Sequence, residues 1–66
     1  MKTLAQLKKD PRVYEIIKQD LNECDHKYCI NLIDGWTVDG YSGIEFADTV
    51  QELNEIVSGL ILRKEG

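Results

Sequence analysis

Between residues 28 and 38 five of the seven apolar side chains fall on even positions, with Cys29 and Ile33 the exceptions. Tyr28, Ile30, Leu32, Trp36 and Val38 are all even-numbered, and only Asp34 interrupts the set. A period of two predicts a strand with one buried face. The stretch also contains Asp34-Gly35, and Asp39-Gly40 follows directly; Asp-Gly between apolar runs is a strong hairpin signal. A two-residue hairpin turn at 34–35 would set Ile33 opposite Trp36 and Leu32 opposite Thr37, mixing even residues of one arm with odd residues of the other. A one-residue slip inverts the faces of a strand, so this register would waste the apolar set. Parity therefore predicts a strand running through Gly35 to Val38 and a reversal at 39–43. Trp36 then faces Phe46, and Val38 faces Ile44.

A helical period follows. Val50, Leu53, Val57, Leu60 and Ile61 form one stripe, Thr49 or Asp48 offers the N-cap, and Glu52 stands three residues after Thr49, which together predict a helix over 49–62. Gly59 lies inside it, so its last turn is expected to fray. At the other end, Thr3 caps a short helix over 3–9 with Leu4 and Leu7 inward, and Asp10-Pro11 ends it. Residues 13–21 are ambiguous. Val13, Ile16, Ile17 and Leu21 fit a helical stripe, whereas four of the five residues in Val13–Ile17 are β-branched or aromatic and favour a strand.

Composition narrows the class. At 66 residues with 42% hydrophobic and 30% charged side chains, the chain predicts one ordered domain, 1–66, with a small core. No apolar run reaches membrane-spanning length, and the N-terminus has no apolar signal segment; with two cysteines, a reduced cytoplasmic setting is expected. Charge is divided unevenly. Residues 1–12 set Lys2, Lys8, Lys9 and Arg12 against Asp10, a balance of +3, while the remainder sums to −7. An acidic body disfavours nucleic-acid binding, which depends on neutralising phosphates. The four N-terminal cations are the candidate nucleic-acid contact in the alternative reading, a weak nucleic-acid binder.

Ligand-type residues cluster only at Cys24, Asp25, His26 and Cys29. Their C-x-H-x-x-C spacing matches no standard pair of zinc knuckles, and a polar loop with a strand-borne cysteine is the simpler reading. No metal or other cofactor is expected. Catalysis is not expected either: His26 is the single histidine, and nothing in the sequence brings Ser42 or Ser58 to it.

The segments Leu7–Val13 (LKKDPRV), Tyr28–Trp36 (Y-x-x-x-L-x-x-G-W) and Asp48–Leu53 (DTVQEL) together resemble a group of small uncharacterised bacterial and phage proteins. Their shared pattern is D-P-R-V, an aromatic-led strand ending in G-W, a glycine-containing turn, and D-T-V-x-E opening the last helix. The resemblance implies a strand after D-P-R-V, here 13–20, and it implies no activity. The resulting order of helix, three strands and helix is also that of double-stranded-RNA-binding domains. In those the last helix opens with lysines; here it opens with the acidic DTVQELNE.

The fold expected is therefore α+β: an αβββα domain whose three-stranded antiparallel sheet has helices on one face. With even residues of 28–38 facing the helices, Cys29, Asn31, Ile33 and Thr37 face outward and form the candidate interface. In the first strand, alternation places Val13 and Ile17 opposite Tyr14 and Ile16, and whichever pair is outside joins that face. An apolar outer face predicts self-association or a protein partner. The expected function is a small, non-catalytic protein-binding or accessory module of phage or mobile-element origin.

Overall fold

The computed structural model describes residues 1–63. In chain order it contains α1 (Leu4–Lys8), β1 (Val13–Lys18), β2 (Tyr28–Leu32), β3 (Trp36–Thr37), β4 (Ile44–Ala47), α2 (Val50–Ser58) and β5 (Ile61–Leu62). Strands β1, β2 and β4 form an antiparallel sheet with β2 central, and β3 pairs with β5 in a separate two-stranded ribbon. The α+β class and the three-stranded sheet are as expected, with the ribbon as an addition.

Both helices start from threonine caps. Thr3 accepts a hydrogen bond from the Gln6 amide, and the Gln6 side chain accepts one from Thr3 N–H, closing a capping box. Thr49 Oγ1 accepts from the Glu52 amide at 3.1 Å. Leu7 from α1 and Leu53 and Val57 from α2 meet Val13, Ile16, Tyr28, Ile30, Leu32 and Ala47 from the sheet, so both helices cover one face of it. The amino end is tied to α2 by two hydrogen bonds between the Lys2 backbone and the Asn54 amide, each 2.9 Å.

The expected register from 33 to 46 is overturned. Ile33 and Trp36 flank a tight turn at Asp34-Gly35, closed by a 3.0 Å bond from Trp36 N–H to the Ile33 carbonyl. Gly35 has φ +95° and Asp34 does not have positive φ. Positive φ at the third position alone marks a type II turn, whose twist splays flanking strands rather than pairing them. The chain therefore leaves the sheet, and β3 pairs with β5, Trp36 against Leu62 and Thr37 against Ile61. Residues 38–43 bring it back. Phe46 then stands opposite Cys29, not Trp36, and Ile44 opposite Asn31, not Val38. Asp34-Gly35 is the hydrogen-bonded turn, and Asp39-Gly40 lies in a bend over 38–41.

Two further expectations are corrected. The helix expected over 49–62 stops at Ser58: Gly59 is its C-cap, and Ile61 and Leu62 extend into β5. Alternation fails in β1, because a bulge at Tyr14 separates the pairs Val13–Leu32 and Glu15–Asn31. Val13 and Ile16 consequently share the core face, and Ile17 lies on the other.

An ion pair with one buried partner fixes the Asp-Pro-Arg corner between α1 and β1. Asp10 is buried, and its carboxylate accepts from Arg12 N–H at 2.9 Å, Arg12 Nε at 3.0 Å and Arg12 Nη2 at 2.9 Å. The guanidinium lies 5.6 Å from the centroid of the Trp36 ring. These hydrogen bonds from Arg12 hold the Asp10 carboxyl down to about 2.

Candidate functional site

Strand register assigns the uncovered face of the sheet residue by residue, because directly paired residues share a face. One cross-strand row is Ile17, Cys29 and Phe46; the next is Glu15, Asn31 and Ile44. Ile17 is 43% exposed, and Ile44 and Phe46 are each 50% exposed. The first row is entirely apolar. The only charge in the two rows is Glu15, whose carboxylate accepts a 2.9 Å hydrogen bond from the Asn31 amide. At the end of the first row the His26 ring stacks on Phe46 with centroids 5.6 Å apart, and His26 Nδ1 lies 3.4 Å from Asp48 Oδ1.

The four interface residues expected from sequence divide. Cys29 and Asn31 lie in the centre of this face, but Cys29 is a correction in exposure: it is buried rather than open to water, and Asn31 is half-buried. Ile33 sits just past β2, partly exposed, with its N–H bonded to the Arg12 carbonyl. Thr37 is a correction: it is fully buried rather than outward-facing. Its hydroxyl donates to Asp39 Oδ1 at 3.0 Å and accepts from Gly40 N–H at 3.1 Å, and Asp39 Oδ1 also accepts from the Tyr41 and Ser42 amides. Thr37 thus organises the 38–43 loop. Ile44 and Phe46 are the most exposed apolar residues of these two rows, yet the hairpin register expected for them placed both in the core. A two-residue β3 leaving the sheet has no signature in hydropathy alone.

The ligand-type residues do not converge. Cys24 and Cys29 are free thiols. Among the described residues, no group of three His, Cys, Asp or Glu side chains is placed to hold a metal ion. Burial pushes the Cys29 thiol up, with Glu15 adding to the effect, which is the reverse of what activates a thiol as nucleophile. Of the four N-terminal cations, Arg12 is committed to Asp10, and Lys2 Nζ lies 3.9 Å from the same carboxylate. Lys8 and Lys9 are exposed on α1 and at its C-cap.

A groove of about 280 Å³ runs beside the outer edge of β4, lined by Val38, Glu45, Phe46, Glu52, Glu55 and Ile56. Phe46 borders both this groove and the uncovered face. Burial raises the Glu45 carboxyl, with a smaller contribution from Asp39. No described helix is long and apolar enough to cross a membrane. Comparison with models of protein families, with curated proteins and with solved structures finds no match.

Proposed function

We propose that this chain is a non-catalytic protein-binding or accessory module that docks through the uncovered face of its three-stranded sheet. The observation that carries this reading is the row Ile17, Cys29 and Phe46, extended by Ile44, on a face that neither helix covers. Ile44 and Phe46 on β4, with Ile17 across the buried Cys29 from Phe46, are each about half exposed and form a surface that protein contact removes from water. The Glu15–Asn31 hydrogen bond leaves that face with little polar demand of its own. A cytoplasmic setting and a phage or mobile-element origin belong to the same proposal, supported by the two free thiols and by the resemblance in the D-P-R-V and D-T-V-x-E segments.

The alternative, weak nucleic-acid binding through α1, draws on Lys2, Lys8, Lys9 and Arg12. Its support is thinner, since Asp10 engages two of these cations and the rest of the chain sums to −7. Titrating salt against binding to mixed-sequence nucleic acid separates the readings. Phosphate contacts give a steep loss of affinity with salt. The protein-binding reading expects no measurable affinity even at low salt; salt-dependent binding abolished by Lys8→Ala/Lys9→Ala would favour the alternative.

A further inference from the structure

The sheet ends at β4, and hydrogen-bond parity along this strand leaves one residue's peptide groups unused. Leu32 N–H donates to the Gly43 carbonyl at 2.7 Å. In an antiparallel ladder bonded pairs alternate with unbonded ones, so Glu45 and Ala47 point their peptide groups at β2, while Ile44 and Phe46 point theirs outward. At Ile44 the outward groups are already satisfied: Ser42 Oγ accepts from its N–H at 3.1 Å and donates to its carbonyl at 3.0 Å. Phe46 has no such neighbour among the described residues. Its N–H and carbonyl open beside the groove lined by Val38, Glu45, Glu52, Glu55 and Ile56.

Resting on the protein-binding reading above, we propose that the outer edge of β4 accepts an extended segment of a partner protein whose side chains alternate between cationic and apolar. The residue paired with Phe46 exchanges both backbone hydrogen bonds with it, the mode of strand addition to a sheet edge. Its side chain falls on the uncovered face beside the Phe46 ring, where an apolar group is matched. Its neighbours in the segment point to the covered side, because side chains alternate. There they enter the groove, where a lysine or arginine lays its stem on Val38 and Ile56 and its charge among Glu45, Glu52 and Glu55. None of these three carboxylates has an ion-pair partner among the described residues. Charge also argues against a second copy of this chain as the occupant. Antiparallel pairing of two β4 edges about Phe46 would bring two copies of the same acidic groove together.

The test uses the full chain, labelled with ¹⁵N, and the probe peptide acetyl-Lys-Val-Lys-Val-Lys-Val-amide. The Phe46 amide is expected to shift and to gain protection from hydrogen exchange, together with shifts over 45–47 and 52–56. N-methylating the valines keeps every charge but removes the donors that face Phe46, and it should weaken binding about tenfold or more, the loss of one or two backbone hydrogen bonds. Glu52→Gln/Glu55→Gln, both on the exposed surface of α2, should weaken the unmodified peptide by about tenfold while leaving the folded spectrum intact. Equal binding of the methylated peptide would reduce the contact to charge alone and overturn the proposal. So would shifts centred on β1 or α1, or no binding. Because Ile17 lies on the opposite edge strand, loss of partner contact in Ile17→Lys reports on the uncovered face separately. A failed peptide test with that contact intact would refute the edge proposal and leave the broader reading standing.

Discussion

Phe46 stands directly across from Cys29 on the uncovered face of the sheet, and this pairing defines the surface on which the functional reading rests. It exists because the chain leaves the sheet after β2 and returns only after the six residues 38–43 that follow β3. Had Trp36 remained in line with β2, Phe46 would have been buried against it.

Substituting Ile44 by lysine should therefore leave the fold almost untouched. Ile44 is half exposed, and surface changes of this kind stay within about 0.5 kcal/mol. Urea unfolding should show this small change, while association through the uncovered face is lost. A large drop in stability would mean that Ile44 belongs to the core.

The Asp10–Arg12 pair should give the protein an acid-sensitive component of stability. The folded carboxyl titrates at about 2, below the ordinary 3.8, so its contribution is complete above about pH 4 and is lost as pH falls towards 2. The size is on the order of 2 kcal/mol. The difference in unfolding free energy between the native chain and Asp10→Asn, measured by urea titration at several pH values, should be constant near neutrality and shrink over that window. A difference that stays constant down to pH 2 would show that the carboxylate is not held by Arg12.

Gly35 is a purely conformational test. A Cβ built there meets nothing within 4 Å, yet φ is +95°. Gly35→Ala should cost roughly 1–2 kcal/mol through the left-handed backbone alone. In a chemically synthesised chain, D-alanine at the same position should cost almost nothing. Equal losses for both would point to packing instead of backbone geometry.

Thr37→Val keeps the shape and removes the hydroxyl. The Gly40 amide and Asp39 carboxylate lose a partner each, a cost of about 1–3 kcal/mol. Amide exchange should accelerate at Gly40, Tyr41 and Ser42 before it changes in β1 or β2.

These residues also mark where sequence reading succeeded and where it could not. The Thr3 cap and the shared face of Tyr28, Ile30 and Leu32 were legible, because side-chain oxygens and strict alternation leave a direct trace. The turn at 34–35 was not. Asp-Gly serves both hairpin turns, which send a strand back, and type II turns, which send it away; backbone twist separates them. The Tyr14 bulge likewise leaves apolar composition unchanged while moving Ile17 to the other face. Thr37 was misplaced because its burial satisfies a hydroxyl, which parity does not register. Cys29 and Asn31 do lie on the face opposite Tyr28, Ile30 and Leu32, as a period of two expects, yet burial along β2 does not alternate, because Cys29 is buried as well.

The most direct test of the protein-binding reading is site-specific photo-crosslinking in the source cell. A photo-reactive amino acid at position 44, on the uncovered face, is compared with one at position 9, at the C-terminal end of α1. The expected result is a discrete protein adduct from position 44, lost when Ile17→Lys is added, with none from position 9. Adducts formed from position 9 to nucleic acid, with none from position 44, would contradict it.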